Sequence, residues 1–413
     1  MAERADLIVV GAGPGGSAAA YHAARSGLDV LLLDRQEFPR DKPCGDGLMP
    51  HTAYEVALMG LGDWLDEPGH GRFHGFALHT QTAGFKQPVP PTIYGPHGYV
   101  VPRIETDAKL LERAEVAGAR FRSGVRVTEV LRSVDGDVVG VEAVSNGDNT
   151  RYEAPLVVVA DGSGGGLANE HKAHQNVVAR RQYFKNVSGP DQDHLHIFAT
   201  KDMNERGGGY GWVFYLGDGQ ANVGAGVSTK TLERTGRNLK DFFERFLEEP
   251  VLKEWLKDAK PEASPKSWSL RTGMWGARRA GQGLLLVGDA GSLIHPISGE
   301  GVGYAMESGR LAATWAHEAH ARRDFSASLL SGYERGLRRQ RAREQLSGYA
   351  FINLVPNMEI LEPLFKASEK DPAARRTMVE IFTGDIPIYG LLRHPRVLAN
   401  ALCDTVRPLA GGR

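Results

Sequence analysis

A glycine-rich turn between a short apolar run and a helix-forming run, near the start of the chain, restricts its fold more than any other feature. The run from Asp6 to Val10 predicts a buried strand, and the run from Ser17 to Arg25 predicts a helix. Between them Gly11 would permit a tight turn, Gly13 would let backbone approach a pyrophosphate, and Gly16 would let the helix pack on the strand. Free N–H groups at the helix start add a partial positive charge for phosphates. We therefore predict a Rossmann-type nucleotide site at Gly11, Gly13, Pro14, Gly15 and Gly16.

An acidic residue follows at the distance that such a site requires. A second apolar run, from Asp29 to Leu33, ends in Asp34 and Arg35, about 20 residues after the glycines. A carboxylate at this place accepts hydrogen bonds from the ribose hydroxyls of an adenosine group and disfavours a 2′-phosphate. Asp34 and Arg35 are thus candidate cofactor-binding residues. The unit suits FAD and NAD equally, so it leaves the choice between them open.

Two later turns extend the candidate site. Each follows a run that predicts a short strand, from Leu156 to Ala160 and from Gly283 to Val287. Taken singly, each turn also fits an ordinary strand-to-helix connection or a helix N-cap. The second is followed by a helix predicted from Tyr304 to about Arg322. The candidate cofactor-binding residues of these segments are Asp161, Gly162, Gly288, Asp289, Pro296, Gly299, Gly301 and Val302.

The order and separation of these three motifs resemble those of flavoproteins with the para-hydroxybenzoate hydroxylase fold. The resemblance implies non-covalent FAD in an extended form, with NAD(P)H or another reductant as electron donor. It implies that Asp34 binds the adenosine ribose and that Asp289 binds the ribityl or pyrophosphate region. Arg103, ahead of a helix predicted from Glu105 to Ala117, would approach the phosphates, although a solvated charge at a strand end explains it equally well. The backbone of a strand ending at Val127 would meet the adenine.

The same resemblance implies an α/β fold with two interleaved domains. Residues 1–75, 99–175 and 270–325 are predicted to form a Rossmann-type FAD-binding domain. Residues 76–98 and 176–269 are predicted to form a mixed β-sheet substrate domain, because runs such as Leu195 to Thr200 and Ala221 to Val227 alternate with a period of two. Residues 326–413 are predicted to form a helical C-terminal region.

A cysteine motif narrows the chemistry. Lys42-Pro43-Cys44-Gly45-Asp46-Gly47 is similar to the cysteine–glycine motif of the geranylgeranyl reductase family, which reduces isolated carbon–carbon double bonds in polyprenyl chains; many members carry glycine in place of Asp46. Tyr210-Gly211-Trp212-Val213-Phe214 resembles that family's Tyr-x-Trp-x-Phe signature, although Tyr215-Leu216 replaces the usual Pro-Lys. Alternation along a strand places Tyr210, Trp212 and Phe214 on one face, which suits either an apolar tunnel or an aromatic core.

The reaction that this resemblance implies is hydride transfer from reduced flavin to one alkene carbon and proton transfer to its neighbour. Cys44, Asp46, Tyr210 and Tyr215 are the candidate proton donors, and Trp212 completes the candidate catalytic set. Cys44 and Gly45 are also expected beside the flavin. The alternative for Cys44 is a small buried hydrophobe at a helix start.

Other functions on the same fold stay open at this stage. A flavin-dependent monooxygenase would hydroxylate an aromatic or natural-product substrate. A halogenase is less favoured, because halogenases of this group carry a Trp-x-Trp-x-Ile-Pro signature and Trp212 has no tryptophan two positions away. A flavin-binding protein without turnover is the remaining alternative.

Charge and cysteine content bear on partners and location. Lysine and arginine total 49 and aspartate and glutamate total 50, so no overall field favours a nucleic acid. Cys44 and Cys403 have neither metal-ligand nor disulfide-framework spacing, which predicts a reducing cytoplasmic location and no metal. We expect an apolar small-molecule substrate, an isoprenoid under the resemblance; the oligomeric state is open. The basic run from Arg335 to Arg343, followed by the apolar run from Tyr349 to Leu354, suits either peripheral membrane contact or a helix with one solvated and one buried face.

Overall fold

Short apolar strands form the centre of the nucleotide-binding domain in the computed structural model, which describes residues 3–200, 203, 208–354 and 361–410. Parts of the predicted substrate domain and C-terminal region therefore lie outside the described residues. The strands pair in parallel, except for the antiparallel β20 at one edge. Their order is β20 (Ala280–Gly281), β21 (Leu284–Leu286), β13 (Leu156–Val159), β2 (Leu7–Val10), β3 (Val30–Leu33) and β9 (Arg120–Arg122).

Different layers cover the two faces of this sheet. Alternate residues of β2 illustrate this, since Leu7 and Val9 pack against helices whereas Ile8 and Val10 pack against a second sheet. Burial on both faces explains why these strands read as continuous apolar runs. The helices are α1 (Pro14–Arg25), α4 (Arg103–Val116) and α8 (Val302–Arg322), and the second sheet has the order β1 (Glu3–Arg4), β12 (Asp148–Glu153), β11 (Val138–Ser145) and β10 (Val125–Arg132).

A large mixed sheet forms the centre of the predicted substrate domain, in agreement with the predicted fold class. It is antiparallel except for one parallel pair, His194–Phe198 with Gly75–His79, and a further strand joins it by pairing with Val177–Lys185. Along the remaining path the order is β18 (Lys260–Pro261), β14 (Val177–Lys185), β17 (Gln220–Ser228), β16 (Gly209–Gly217), β15 (His194–Phe198), β6 (Gly75–His79) and β7 (Gly84–Pro88), and β19 spans Lys266–Leu270. Helices α5 (Thr229–Thr235), α6 (Leu239–Leu247) and α7 (Pro250–Trp255) belong to this domain; α6 and α7 supply core residues to one face of the sheet.

A small three-stranded sheet accompanies the two large ones, and the sequence did not indicate it. Its strands are only two or three residues long, in the order β4 (Gly47–Leu48), β8 (Gly98–Val100) and β5 (Gly71–Phe73). Helices α2 (Pro50–Leu58) and α3 (Gly62–Leu65) lie between β4 and β5 in the chain. Because β4 begins at Gly47, the last residue of the cysteine motif, this sheet holds one end of that motif.

The C-terminal region is helical, as predicted, with α9 (Ala327–Leu354), α10 (Leu361–Ser368), α11 (Pro372–Thr383) and α12 (Pro395–Ala410). The basic run of α9 is not a uniformly solvated face. Arg341 points inward and pairs with Glu307 at 2.8 Å, with 12% of its side chain exposed, and Arg338 pairs with Glu334 at 2.9 Å. The apolar run that follows contributes Phe351 and Ile352 to the lining of the central cavity. No described helix is both long and apolar enough to cross a membrane.

Helices α1 and α8 cross with their backbones in contact. A Cβ on Gly309 of α8 would lie 2.3 Å from the carbonyl oxygen of Gly15 and 2.9 Å from the amide nitrogen of Ala19. On α1, a Cβ on Gly15 would lie 3.1 Å from the carbonyl oxygen of Ala305. Only glycine permits this approach, which joins the first nucleotide motif to the helix that follows the third.

We predict that Gly309→Ala lowers the free energy of unfolding by about 1–3 kcal/mol, because the added methyl group would overlap the backbone of α1. Urea or thermal unfolding measures the change. The matched control is Gly336→Ala in α9, where the added Cβ would meet the flexible end of Leu311 at 3.1 Å. That helical substitution should leave stability unchanged or raise it by up to about 1 kcal/mol. Equal midpoints for the two variants would contradict the backbone contact.

Candidate functional site

The first glycine turn has the geometry of a phosphate cradle. Gly11 adopts a φ of +105°, and a Cβ there would lie 2.4 Å from the carbonyl oxygen of Ala160, so the turn rests directly on the end of β13. A Cβ on Gly16 would lie 1.7 Å from the carbonyl oxygen of Gly11. Gly13 is the N-cap of α1 and makes no side-chain capping bond. The N–H groups at the start of α1 are thus available to a phosphate, as a bound dinucleotide requires.

Asp34, which directly follows β3, stabilises this turn by hydrogen bonds. Its carboxylate accepts hydrogen bonds from the amides of Ala12 at 2.7 Å and Gln36 at 2.8 Å, and the residue is 8% exposed. The amide of Val125 donates to the carbonyl oxygen of Asp34 at 2.9 Å, which brings the start of β10, with Val127, to this side of the sheet. Arg35 is exposed. Carboxylate lone pairs remain for a ribose, and the cofactor contacts of these residues stay predictions.

Arg40 is a residue that the sequence did not single out. Its Nη2 lies 3.6 Å from the position that a Cβ on Gly13 would occupy, and its Nη1 pairs with the buried Asp107 at 3.0 Å. A guanidinium therefore stands beside the phosphate cradle. The only available signal was its place in the loop after Asp34, and no spacing rule connects that loop with Gly13.

The second turn is held by its own ion pair. Both carboxylate oxygens of Asp161 accept hydrogen bonds from Lys172, at 2.7 and 2.8 Å, and one also accepts from the amide of Leu167. Gly162 adopts a φ of +73°, and its carbonyl oxygen accepts from Arg271 at 3.1 Å. These contacts shape the turn; direct cofactor contact by Asp161 and Gly162 stays a prediction.

The third turn meets the second through Lys42, and the second meets the first where Gly11 rests on Ala160. The ammonium of Lys42 lies 3.7 Å from a carboxylate oxygen of Asp289 and 3.7 Å from the position of a Cβ on Gly162. Gly288 adopts a φ of +56°, and its amide donates to the hydroxyl of Ser308 at 3.0 Å. The three separated motifs therefore converge at the carboxyl ends of the parallel strands, where open α/β sheets bind ligands.

Helix α8 begins beside the same point. Pro296, Gly299, Gly301 and Val302 help to line the cavity, and the carboxylate of Glu300 accepts a hydrogen bond from the amide of Gly303 in the first turn of the helix at 2.7 Å. Gly299 adopts a φ of +68° and packs close to the hydroxyl of Tyr210. The positive end of a second long helix thus lies at the edge of the cavity.

A largely apolar cavity extends from this point between the substrate sheet and the C-terminal helices. Three parts of the chain that are distant in sequence supply its walls. The apolar lining includes Met49, Leu78, Ile197, Trp212, Phe214, Ile297, Phe351, Leu361, Phe365, Ile381, Phe382, Ile388 and Leu391, and the polar lining includes Lys42, Cys44, Asp46, Arg103, Tyr210, Asp289 and Glu300. Such a space suits a long apolar ligand with one end at the polar junction.

Cys44 lies in this cavity next to Arg103. Burial raises the pKa of the Cys44 thiol, although the guanidinium of Arg103, which hydrogen-bonds to it, acts in the opposite direction. The thiol is therefore protonated at neutral pH. Arg103 is 4% exposed and makes a bidentate pair with Asp107 at 2.6 and 2.7 Å. Its placement beside the thiol adds a role that the sequence did not predict.

Asp46 is completely buried at the turn after Cys44. Its carboxylate accepts hydrogen bonds from the hydroxyl of Tyr183 at 2.6 Å, the amide of Asn222 at 2.7 Å and the backbone amide of Arg103 at 3.2 Å. Burial raises the pKa of Asp46 to about 6, although the hydrogen bonds from Tyr183 and Asn222 lower it. Its φ of +64° explains why glycine suits this position in related sequences, since aspartate is among the few other residues that tolerate it.

The aromatic face of β16 lines the cavity as the alternation predicted. Tyr210, Trp212 and Phe214 all reach it. The hydroxyl of Tyr210 donates to the carbonyl oxygen of Ser298, and burial raises the pKa of this hydroxyl. The indole of Trp212 donates to Asn222 at 3.0 Å. Tyr210 is thus tied to the loop before α8.

The prediction that Tyr215 is a proton donor is wrong. Tyr215 points to the opposite face of β16, where it packs in the core cluster of Phe243 and Trp255 rather than in the cavity. The reason is the period of two along a strand, which separates residue 215 from residues 210, 212 and 214. A hydroxyl beneath the sheet cannot deliver a proton to a ligand above it.

One buried cluster outside the cavity has the composition of a metal site. His51, Glu55 and Glu307 bring their ligand atoms within 4.8 Å of one another. Each carboxylate is paired with an arginine, Glu55 with Arg310 at 2.7 Å and Glu307 with Arg341 at 2.8 Å. These pairs neutralise the charge that would attract a cation, and they connect α2, α8 and α9.

Known proteins resemble this chain over most of its length. Residues 4–347 match the FAD binding domain family. A menaquinone reductase of Mycobacterium tuberculosis is 33% identical over 345 residues, 81% of this chain and 82% of the relative. Digeranylgeranylglycerophospholipid reductase 2 of Methanopyrus kandleri is 31% identical over 352 residues, 80% of this chain and 81% of the relative. Both relatives are named as reductases.

Solved structures agree in fold. A geranylgeranyl bacteriochlorophyll reductase-like protein from Thermoplasma acidophilum superposes with a TM-score of 0.80 and 25% identity, over 99% of each chain. A flavin-dependent brominase superposes with a TM-score of 0.74 and 20% identity, over 98% of this chain and 100% of that one. The second likeness concerns the fold alone.

We predict that Arg40→Ala weakens FAD binding by roughly tenfold, because it removes a guanidinium from beside the phosphate cradle. Fluorescence titration of the apoprotein with FAD measures the affinity. The control is Arg245→Ala, which removes an exposed arginine of α6 in the substrate domain and should leave the affinity unchanged. Equal affinities in both variants would exclude Arg40 as a phosphate contact.

Proposed function

Because this chain belongs to the geranylgeranyl reductase family of FAD-dependent oxidoreductases, we propose that it reduces carbon–carbon double bonds in a prenyl chain. The observation that carries the proposal is the apolar cavity, walled by Trp212 and Phe214, that opens onto Cys44 where the three nucleotide motifs converge. A prenyl chain would lie along the aromatic face. Its reacting double bond would then stand next to the cysteine loop.

The cofactor in this proposal is FAD, which when bound supplies a hydride from its reduced isoalloxazine. The turn from Gly11 to Gly16 and Arg40 would hold the pyrophosphate, and Asp34 would hold the adenosine ribose. Asp289 and the start of α8 would face the ribityl and isoalloxazine end. The apolar cavity walls would exclude water from the reacting atoms. We further propose NAD(P)H or another small reductant as the source of electrons.

Cys44 is the proton donor that we propose. As hydride adds to one alkene carbon, the neighbouring carbon takes the proton from the thiol, and the C=C π bond and the S–H bond break. The hydrogen bond from Arg103 would stabilise the resulting thiolate. Asp46 and Tyr210 remain the alternative donors, since both line the cavity.

The substrate class follows from the relatives' names. One relative is named for menaquinone and another for digeranylgeranylglycerophospholipid, a quinone and a lipid that carry prenyl chains. We therefore propose the prenyl chain of a quinone or lipid as the substrate.

We predict that reduced holoenzyme, mixed anaerobically with a menaquinone or a digeranylgeranyl lipid, adds two hydrogens to one of them and reoxidises its flavin. Stopped-flow absorbance follows the flavin, and mass spectrometry measures the product. Substrate-stimulated oxygen consumption with an oxygen atom in the product would favour a hydroxylase instead. If no product forms with or without oxygen, the protein does not act on this substrate class.

The same assay tests Cys44. Cys44→Ala should slow flavin reoxidation by substrate by about a hundredfold, the usual range for loss of a general acid. Cys403→Ala is the matched control, because Cys403 is exposed on α12, and its rate should equal that of the unaltered enzyme. Equal rates for both variants would indicate that Asp46 or Tyr210, rather than Cys44, is the proton donor.

We also propose that the cavity rim contacts a membrane surface. In the 3₁₀ helix Ile388–Arg393, Ile388 and Leu391 line the cavity, whereas Tyr389 and Leu392 are 52% and 71% exposed. The exposed Arg393 and Arg396 stand close by in the chain. Exposed apolar residues next to basic ones suit the surface of an anionic bilayer. This rim, rather than the partly inward-facing basic run of α9, is our candidate contact.

We predict that Tyr389→Ser combined with Leu392→Ser reduces flotation of the protein with anionic liposomes at low salt, because the pair supplies apolar area to the bilayer. Density-gradient flotation measures the bound fraction. The control is Val134→Ser, an exposed apolar residue in a hairpin of the nucleotide-binding domain. Failure of the unaltered protein to float would exclude this surface.

A further inference from the structure

Asn222 connects the cysteine loop with the aromatic wall, and no sequence motif pointed to it. It lies on β17 and is completely buried. Its Nδ2 group donates to the carbonyl oxygen of Cys44 and to the carboxylate of Asp46, both at 2.7 Å. Its Oδ1 accepts from the indole N–H of Trp212 at 3.0 Å. One amide therefore touches three residues of the cavity wall.

The orientation of this amide is set by its partners. The Trp212 indole can only donate, and the Cys44 carbonyl can only accept. Turning the amide over would place donor against donor at Trp212 and acceptor against acceptor at Cys44. Each wrong contact would leave a buried polar group unsatisfied, at a cost of about 1–3 kcal/mol. The amide therefore has one favourable orientation.

The loop that Asn222 holds packs against the aromatic face of β16. A Cβ on Gly45 would stand 3.1 Å from Cε2 of Phe214 and 3.4 Å from Nε1 of Trp212. The Cys44–Gly45 peptide is thus packed on the rings that line the cavity. A shift of this peptide would change the distance between the Cys44 thiol and any chain lying on those rings.

We propose that Asn222 is a positioning residue for the reductase reaction, whose amide sets the placement of the Cys44 thiol relative to a double bond on the Trp212 face. The inference rests on the proposed function. Asn222 does not line the cavity, whereas Cys44 and Trp212 do. It would therefore act through these two residues rather than by contact with substrate.

The pKa of Asp46 affects the pH dependence of the reaction rate. A loss of packing alone would not change that pH dependence. The groups that face this carboxylate include Tyr183 and Arg181 from β14, Arg103 from α4, Asn222 from β17 and the thiol of Cys44 from the preceding loop. The Asn222 hydrogen bond lowers the pKa of Asp46, so its removal raises the pKa above about 6. Any step that requires ionised Asp46 would then be lost at a higher pH than in the unaltered enzyme.

Asn222→Asp is the informative substitution. It keeps an acceptor for Trp212 but removes the donor to Cys44 and Asp46, and it places a second carboxylate beside Asp46. We expect flavin reoxidation by substrate to slow by about tenfold to a hundredfold, as for small misplacements of reacting groups, while KM changes by less than about twofold. The pH dependence of that rate should move upward. Trp212→Phe removes the indole donor to Asn222 together with part of the aromatic wall, and it should also slow the rate.

Asn238→Asp is the matched control. Asn238 caps α6 through a bond to the amide of Asp241, and aspartate caps a helix equally well. Its rate, KM and pH profile should equal those of the unaltered enzyme. A purely structural role for Asn222 would instead lower the unfolding midpoint of Asn222→Asp and leave the ratio of rate to KM and the pH profile unchanged.

A second measurement does not depend on the substrate. In holoenzyme carrying Cys403→Ala, the rate of Cys44 alkylation by N-ethylmaleimide reports how firmly the loop is held. We expect Asn222→Asp to raise it by about tenfold at constant pH, since the loop loses a buried hydrogen bond. If the alkylation rate of the Asn222→Asp variant is within twofold of that of the Cys403→Ala protein, the inference is overturned, whatever the catalytic activity of the variant. Faster alkylation in a protein that reduces no prenyl compound would overturn the proposed function instead.

Discussion

The backbone contact between α1 and α8 is the constraint on which the rest of the site depends. Gly309 meets the carbonyl oxygen of Gly15 in the first turn of α1, so the helix after the third nucleotide motif is fixed against the helix after the first. Gly11 in turn rests on the end of β13, which carries the second motif. Because main-chain atoms make these contacts, little relative movement is available. The three motifs can therefore act as one binding surface for an extended dinucleotide.

The reactive part of the site depends on buried polar contacts between the two domains. Asp46 follows the first nucleotide motif in sequence but is held by Tyr183 and Asn222, which belong to the large mixed sheet. Arg103, at the start of a helix of the nucleotide domain, reaches the Cys44 thiol. These groups are desolvated, so each contact is strong and its loss is costly. The junction between the domains thereby sets both the position and the protonation of the candidate donors.

Much of the fold could be predicted because its signals are local. The strands β2, β3 and β13 are buried on both faces and so read as continuous apolar runs, and the aromatic residues of β16 alternate with the period of a strand. Tyr215 was predicted wrongly because the same alternation, which places it on the opposite face of β16 from Tyr210, Trp212 and Phe214, was not applied to it. Arg40 and Asn222 could not be predicted, since each acts on residues far away in the chain, Arg40 on Asp107 and Asn222 on Cys44.

The sequence by itself determined the cofactor class and the family. The glycine turn, the acidic residue and the cysteine motif can be recognised from the order of residues alone. That order does not depend on how the chain packs. Only the tertiary structure decided which side chains face the cavity, which carboxylates are already paired, and how the Cys44 loop is held against Trp212. Those properties arise from burial and from contacts between distant segments, and no pattern within one segment encodes them.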